Sequence, residues 1–272
     1  MPKVTNEIFM TSGGILPSGV IVDLLDPEGN SSKLIVRDGR RTEIEPAVKC
    51  DGVVYLPMQL PGELRGQIRF PRSMRRSCYE WGLFEDVVWF AQDYLNLSHQ
   101  NAVLSAAGAL ATWIPEAFSE PLVWSVITDD AAQAMALFST FCRRAIIASE
   151  CNVASALPFQ PTIFLSADDR NLNCSRLIFS DIGKAVNAEK GDLPFPPLGS
   201  GSKKQISKQL LEECAADLQP AFQCYRIEYL QTLLAPGRMN AFTVAQLRQQ
   251  VLTCIECEGE PKIIFPDYPV PK

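Results

Sequence analysis

The stretch Leu122-Val123-Trp124-Ser125-Val126-Ile127-Thr128-Asp129-Asp130-Ala131-Ala132-Gln133-Ala134 decides how the rest of the chain is read. Leu122 to Ile127 is an apolar run, too short for a helix, and predicts a buried strand. Thr128-Asp129-Asp130 reads as a turn, and from Ala131 to Arg144 the residues have helical character. Strand, turn and helix in that order predict an α/β unit.

Working downstream, Thr162-Ile163-Phe164-Leu165 is a second apolar run that ends in Ser166-Ala167-Asp168-Asp169, and Leu177-Ile178-Phe179 is a third after a polar bridge. Strands separated by helices predict a mainly parallel sheet. Asp192 to Ser202 is rich in Pro, Gly and Ser and reads as a flexible linker, in which Gly199-Ser200-Gly201-Ser202 has the composition of a native or an engineered joint. Beyond it, three helices are predicted: Ile206 to Leu218, Ala221 to Leu234, and Thr243 to about Cys257.

Working upstream, Phe84, Val87, Val88, Phe90, Ala91, Tyr94 and Leu95 recur at helical spacing. Ser98 is placed to cap a second helix that runs to Pro115. Before them, Ile8 to Pro57 alternates β-branched runs with turn signals at Asp38-Gly39 and Asp51-Gly52, which predicts an antiparallel meander. The fold class is therefore α/β: a small N-terminal β meander (1–60), a basic connector (61–80), an α/β core (81–190), a linker (191–203) and a C-terminal helical segment (204–272).

The order of elements from Trp81 to Val186, with Ala111-Thr112-Trp113-Ile114-Pro115-Glu116-Ala117-Phe118 ahead of the strand, resembles P-loop ATPases of the helicase-like type found in phages and mobile elements. The resemblance implies a glycine-rich loop with a Lys and a hydroxyl residue after the first strand, to cradle phosphates and hold magnesium. Ile127 to Ala134 supplies no Gly, no Lys and two acids. It also implies an Asp directly after the second strand's apolar run, where this chain has Ser166. The expectation is a P-loop-like core whose nucleotide-binding and catalytic residues are lost, working as a binding or scaffold module linked to mobile-element DNA replication.

At 272 residues, 47% of them hydrophobic, the chain has material for a large core. Its net charge of -6 excludes a protein that coats nucleic acid over its whole surface, so any polyanion site must be local. Arg65, Arg69, Arg72, Arg75 and Arg76, interleaved with Phe70, Tyr79 and Trp81, are the one dense basic stretch and the candidate nucleic-acid contact; the alternative is a solvated connector. Asp129, Asp130, Asp168 and Asp169 lie at the C-terminal ends of predicted strands. They are candidate ligands for a divalent metal, or in the first pair helix caps.

The single histidine, His99, has no histidine partner and reads as an exposed first-turn residue. Cys254 and Cys257 have CxxC spacing without a second ligand pair, and the nine scattered cysteines read as reduced thiols. No window holds the ~18 apolar residues of a membrane span and no signal peptide is read at the N-terminus, so a cytoplasmic protein without membrane contact is expected. No cofactor and no catalytic residue is expected. Besides the inactive scaffold, two functions stay open: a nucleic-acid-binding accessory protein using Arg65 to Arg76, and a metal-dependent enzyme at the aspartate pairs. A protein partner or self-association is expected through the C-terminal helices.

Overall fold

Turn chemistry sets the N-terminal third. In the computed structural model, which describes residues 7–25, 32–39, 41–77, 80–119, 123–128, 131–147, 153–169, 174–180, 204–234 and 246, seven strands precede the first helix. They are β1 (Glu7–Thr11), β2 (Gly13–Ile15), β3 (Ile21–Leu25), β4 (Lys33–Asp38), β5 (Arg41–Glu45), β6 (Val48–Cys50) and β7 (Val53–Pro57). β2 to β5 form the expected antiparallel meander in sequence order, and β6–β7 is a hairpin whose two turn residues, Asp51 and Gly52, both have positive φ. β1 departs from the pattern by pairing parallel to β7 at the edge of a second, three-stranded sheet.

Residues 61–77 form a strap with one 3-10 turn at Gly62–Leu64. Leu64, Ile68 and Phe70 are buried in one apolar cluster with residues of β3, β4 and β6 and with Phe159 and Ile163. It is therefore anchored by an apolar row, and only part of it is the solvated connector its arginines suggest.

The core begins with α1 (Glu80–Leu95) and α2 (His99–Ala111), the latter capped as expected by Ser98, whose hydroxyl accepts from the Asn101 amide. His99 is exposed in the first turn of α2. Then follow β8 (Val123–Thr128), α3 (Ala131–Phe141), β9 (Ile146–Ile147), the short α4 (Val153–Ala156), β10 (Ile163–Asp169) and β11 (Cys174–Ser180).

The sheet order is β8-β11-β10-β9, and only β9 and β10 are parallel; β11 is antiparallel to both β8 and β10. The predicted mainly parallel sheet is thus corrected to a small mixed one. Apolar runs had marked only the cores of β10 and β11, leaving eleven residues between Leu165 and Leu177, enough for a crossover. Both strands extend through polar residues, and four residues remain between Asp169 and Cys174, which permit only an antiparallel return.

The first two predicted C-terminal helices are one, α5 (Lys208–Leu233), with Pro220 inside it. Proline was expected to end the first helix because it lacks an N–H and crowds the preceding turn. Tertiary packing outweighs that cost: Leu218, Ala221, Phe222 and Tyr225 are buried in the main core, and the Pro220 carbonyl accepts from the Arg75 amide at 3.1 Å. The linker, Asp129, Asp130, Cys254, Cys257 and the third predicted helix lie outside the described residues, Gln246 excepted. Among the described residues no helix is long and apolar enough to cross a membrane.

Candidate functional site

β3 reads Ile21-Val22-Asp23-Leu24-Leu25 and is buried throughout. Alternation places Val22 and Leu24 on the side of the strap, and Ile21, Asp23 and Leu25 toward α5, where Ile227 and Leu230 meet Ile21 and Leu25. Asp23 thus puts a carboxylate in an apolar seam, and it is satisfied by four donors. Oδ1 accepts from Arg143 Nη2 at 2.9 Å and Arg144 Nη2 at 2.7 Å. Oδ2 accepts from Gln223 Nε2 at 2.8 Å and Arg226 Nε at 3.1 Å.

Arg226 also forms a two-pronged pair with Glu116, at 2.8 and 2.6 Å, and donates to the Trp113 carbonyl. Three guanidiniums face two carboxylates, which leaves one positive charge in excess. Burial alone would raise the Asp23 carboxyl; Arg143, Arg226 and Arg144, with the Gln223 amide, hold it well below the usual carboxylate range. Burial lowers Arg144 far from its ordinary value, helped by Arg143, whereas Arg226 is pushed up against its own burial by Glu116 and Asp23.

Arg144 ties this cluster to the strap. It has positive φ, donates to the carbonyls of Phe159 and Ser12, and its guanidinium lies 5.4 Å from the centre of the Phe70 ring. Phe70 in turn meets Phe159 edge to face. The strap's backbone on either side of Phe70 is thereby held in place, and with it Arg69 and Arg72.

Between strap and α5 lies a cleft of about 540 Å³. Arg69, Phe70, Arg72 and Ser73 line one wall; Glu212, Ala215, Ala216, Gln219 and Pro220 line the other. Arg69 is half-buried and reaches the Thr140 hydroxyl at 3.4 Å; burial lowers its pKa, Glu212 opposes that and Arg72 adds to it. Glu212 itself is paired with Lys208. Gln219, 3% exposed, donates from Nε2 to the Thr140 carbonyl at 2.6 Å, while its Oε1 is buried and accepts no hydrogen bond. Pro220 has no N–H to give the Ala216 carbonyl one turn earlier, so the α5 wall carries a second acceptor without its helical donor.

Of the five candidate arginines, Arg69 and Arg72 share the cleft, Arg75 is paired with Asp217 on α5, and Arg65 and Arg76 are exposed. Of the aspartate candidates, Asp168 and Asp169 are placed by their backbone. Asp168 and Asp169 are the last residues of β10, opposite Ser175 and Cys174, and Ser175 also faces Thr128 at the end of β8. Thr128, the last residue of β8, therefore lies at the same end of the sheet as Asp168, with β11 between them.

Asp23, Arg143, Arg144, Gln219, Gln223 and Arg226 were not picked out by sequence reasoning. A signal existed for some: an acid inside a five-residue apolar strand, and polar residues at spacings of four and three among the apolar residues of one helix face. No family model, no curated protein and no solved structure matches this chain.

Proposed function

We propose that this chain acts by binding rather than by catalysis, and that the strap is the face through which it meets a single-stranded nucleic acid. The observation that carries this reading is the separation of roles among the strap's side chains. Leu64, Ile68 and Phe70 anchor it, while Arg65, Arg72 and Arg76 are exposed. Arginines on a backbone fixed by apolar anchors lose little freedom when they contact phosphates, and this local charge survives the chain's net charge of -6. The wider setting we propose is an inactive, helicase-like ATPase scaffold linked to mobile-element DNA, supported by Ile127 to Ala134, which offers a phosphate neither glycine nor lysine.

Fluorescence anisotropy with a labelled single-stranded oligonucleotide over a salt series tests the binding reading. Three phosphate-contacting arginines predict a slope of log K against log salt of about -2, and each Arg→Ala change at Arg65, Arg72 or Arg76 makes it shallower by about 0.7. Absent binding, or affinity indifferent to salt, overturns the proposal. Micromolar ATP binding by the same protein overturns the inactive-scaffold setting.

A further inference from the structure

We infer that β1 is a self-association edge: two copies of this chain pair antiparallel along Glu7–Thr11, with Phe9 on the two-fold axis, and join their three-stranded sheets into one of six strands. The pairing needs neither the strap nor the C-terminal helices.

An edge strand is an open template for further pairing, and chains ordinarily blunt it by shortness or charge. Three of the four edges of the two N-terminal sheets follow that rule. β2 is three residues long and holds Gly13 and Gly14, β6 is three residues long with the exposed Lys49 at its centre, and β5 carries Arg41, Glu43 and Glu45. β1 does not. Its central residues Ile8, Phe9 and Met10 are 65%, 51% and 48% exposed, so both of its faces are apolar and open.

The Thr11 carbonyl accepts from the Met58 amide, one residue beyond its partner Pro57, so the backbone of Thr11 points toward β7. Phe9 and Glu7, two and four residues earlier, share that direction. Ile8 and Met10 therefore turn their N–H and C=O groups to the open side, and no backbone group of the described residues pairs with them there.

What fits such an edge is the same edge turned around. With Phe9 on the axis, Ile8 lies opposite Met10 of the second copy and the two exchange both N–H···O bonds, as does the symmetric pair; every outward group of Ile8 and Met10 is then used. Phe9 meets its own copy at the closer, non-hydrogen-bonded position, on the face where it already stacks on Tyr55 at 6.2 Å. Glu7 falls opposite Thr11 of the second copy, whose hydroxyl oxygen accepts from the Gly13 amide and keeps its O–H to donate to a carboxylate. A parallel pair would instead set Glu7 beside Glu7. Three apolar residues a side fall short of the roughly 1,200–2,000 Å² of a standard interface, which makes the dimer weak, with a Kd on the order of 10–100 μM.

Sedimentation velocity of the full chain from about 5 to 500 μM under reducing conditions tests the inference, and a shift from monomer to dimer is expected across that range. Phe9→Lys sets two cations on the axis, and Met10→Pro deletes an outward N–H while sparing the bonds to β7. Each is expected to weaken dimerisation at least about tenfold with the circular dichroism unchanged, and should Met10→Pro alter the spectrum, Phe9→Lys decides alone. Ile44→Lys, at an equally exposed apolar residue on the charged edge β5, is the control and leaves the dimer intact. A chain that stays monomeric at about 500 μM, or that dimerises as wild type with Phe9→Lys, overturns the inference. A two-fold pair uses up both edges, so growth beyond the dimer overturns it as well.

Discussion

Replacing Asp23 by Asn removes one negative charge from a fully buried cluster and keeps its shape. Three guanidiniums would then share Glu116 alone. The asparagine also cannot replace all four contacts, because each Asp23 oxygen accepts from two donors, and the Asn amide would turn N–H groups toward N–H groups on one side or the other. Removing one partner of a buried ion pair costs about 3–5 kcal/mol. Against a total stability on the order of 5–15 kcal/mol that is a large fraction. At about 2–4 °C per kcal/mol for a chain of this size, Tm is expected to fall by roughly 10 °C or more, followed by circular dichroism and checked by urea unfolding. Arg41→Ala, which breaks an exposed pair with Glu43, is the control and is expected to shift stability by less than about 1 kcal/mol. An Asp23→Asn protein within about 1 kcal/mol of wild type would refute the claim that this cluster joins the meander to α3 and α5.

Three further outcomes follow from the same geometry. Asp23 has a folded-state pKa held far below its unfolded value near about 3.9, so its stabilisation is complete above that value and is lost as pH falls below it; Tm of Asp23→Asn is expected to vary less between pH 5 and 3 than that of wild type. Gly13→Ala puts a Cβ into the Asp23 carboxylate at a positive φ, whereas Gly14→Ala meets nothing within 4 Å. Urea midpoints should show the first costing more than about 2 kcal/mol and the second about 1. Pro220→Ala restores a donor to the Ala216 carbonyl, worth up to about 3 kcal/mol in a helix interior, against lost packing of a buried ring. A net gain of about 1 kcal/mol is expected in thermal melts, and a clear loss contradicts the reading that the missing hydrogen bond costs more than the ring's own packing contributes.

Where a signal was local, the sequence carried it. Asp51-Gly52 demanded a hairpin with two positive φ angles, and Ser98 offered the only hydroxyl where α2 needed a cap; both are found. Where long-range contacts decide, it did not. Nothing near Pro220 announces that Ala215 and Leu218 before it and Ala221 and Phe222 after it are buried along one continuous helix. Likewise the polar halves of β10 and β11 look like a bridge until they are seen paired. The arginine stretch was legible as charge but not as a strap, because its anchoring residues Leu64, Ile68 and Phe70 fall at irregular spacing and only gain meaning against β3, β4 and β6. The cleft was not legible at all: Arg69 and Gln219 lie 150 residues apart and meet only because both contact Thr140 at the end of α3.

A strap that meets a partner must have its backbone protected when that partner binds. Hydrogen exchange with and without a single-stranded oligonucleotide tests this most directly. Slower exchange is predicted at the Phe70, Arg72 and Ser73 amides, with the β2 to β5 meander unchanged. Protection confined to other parts of the chain, with those three amides exchanging as in the free protein, would contradict it.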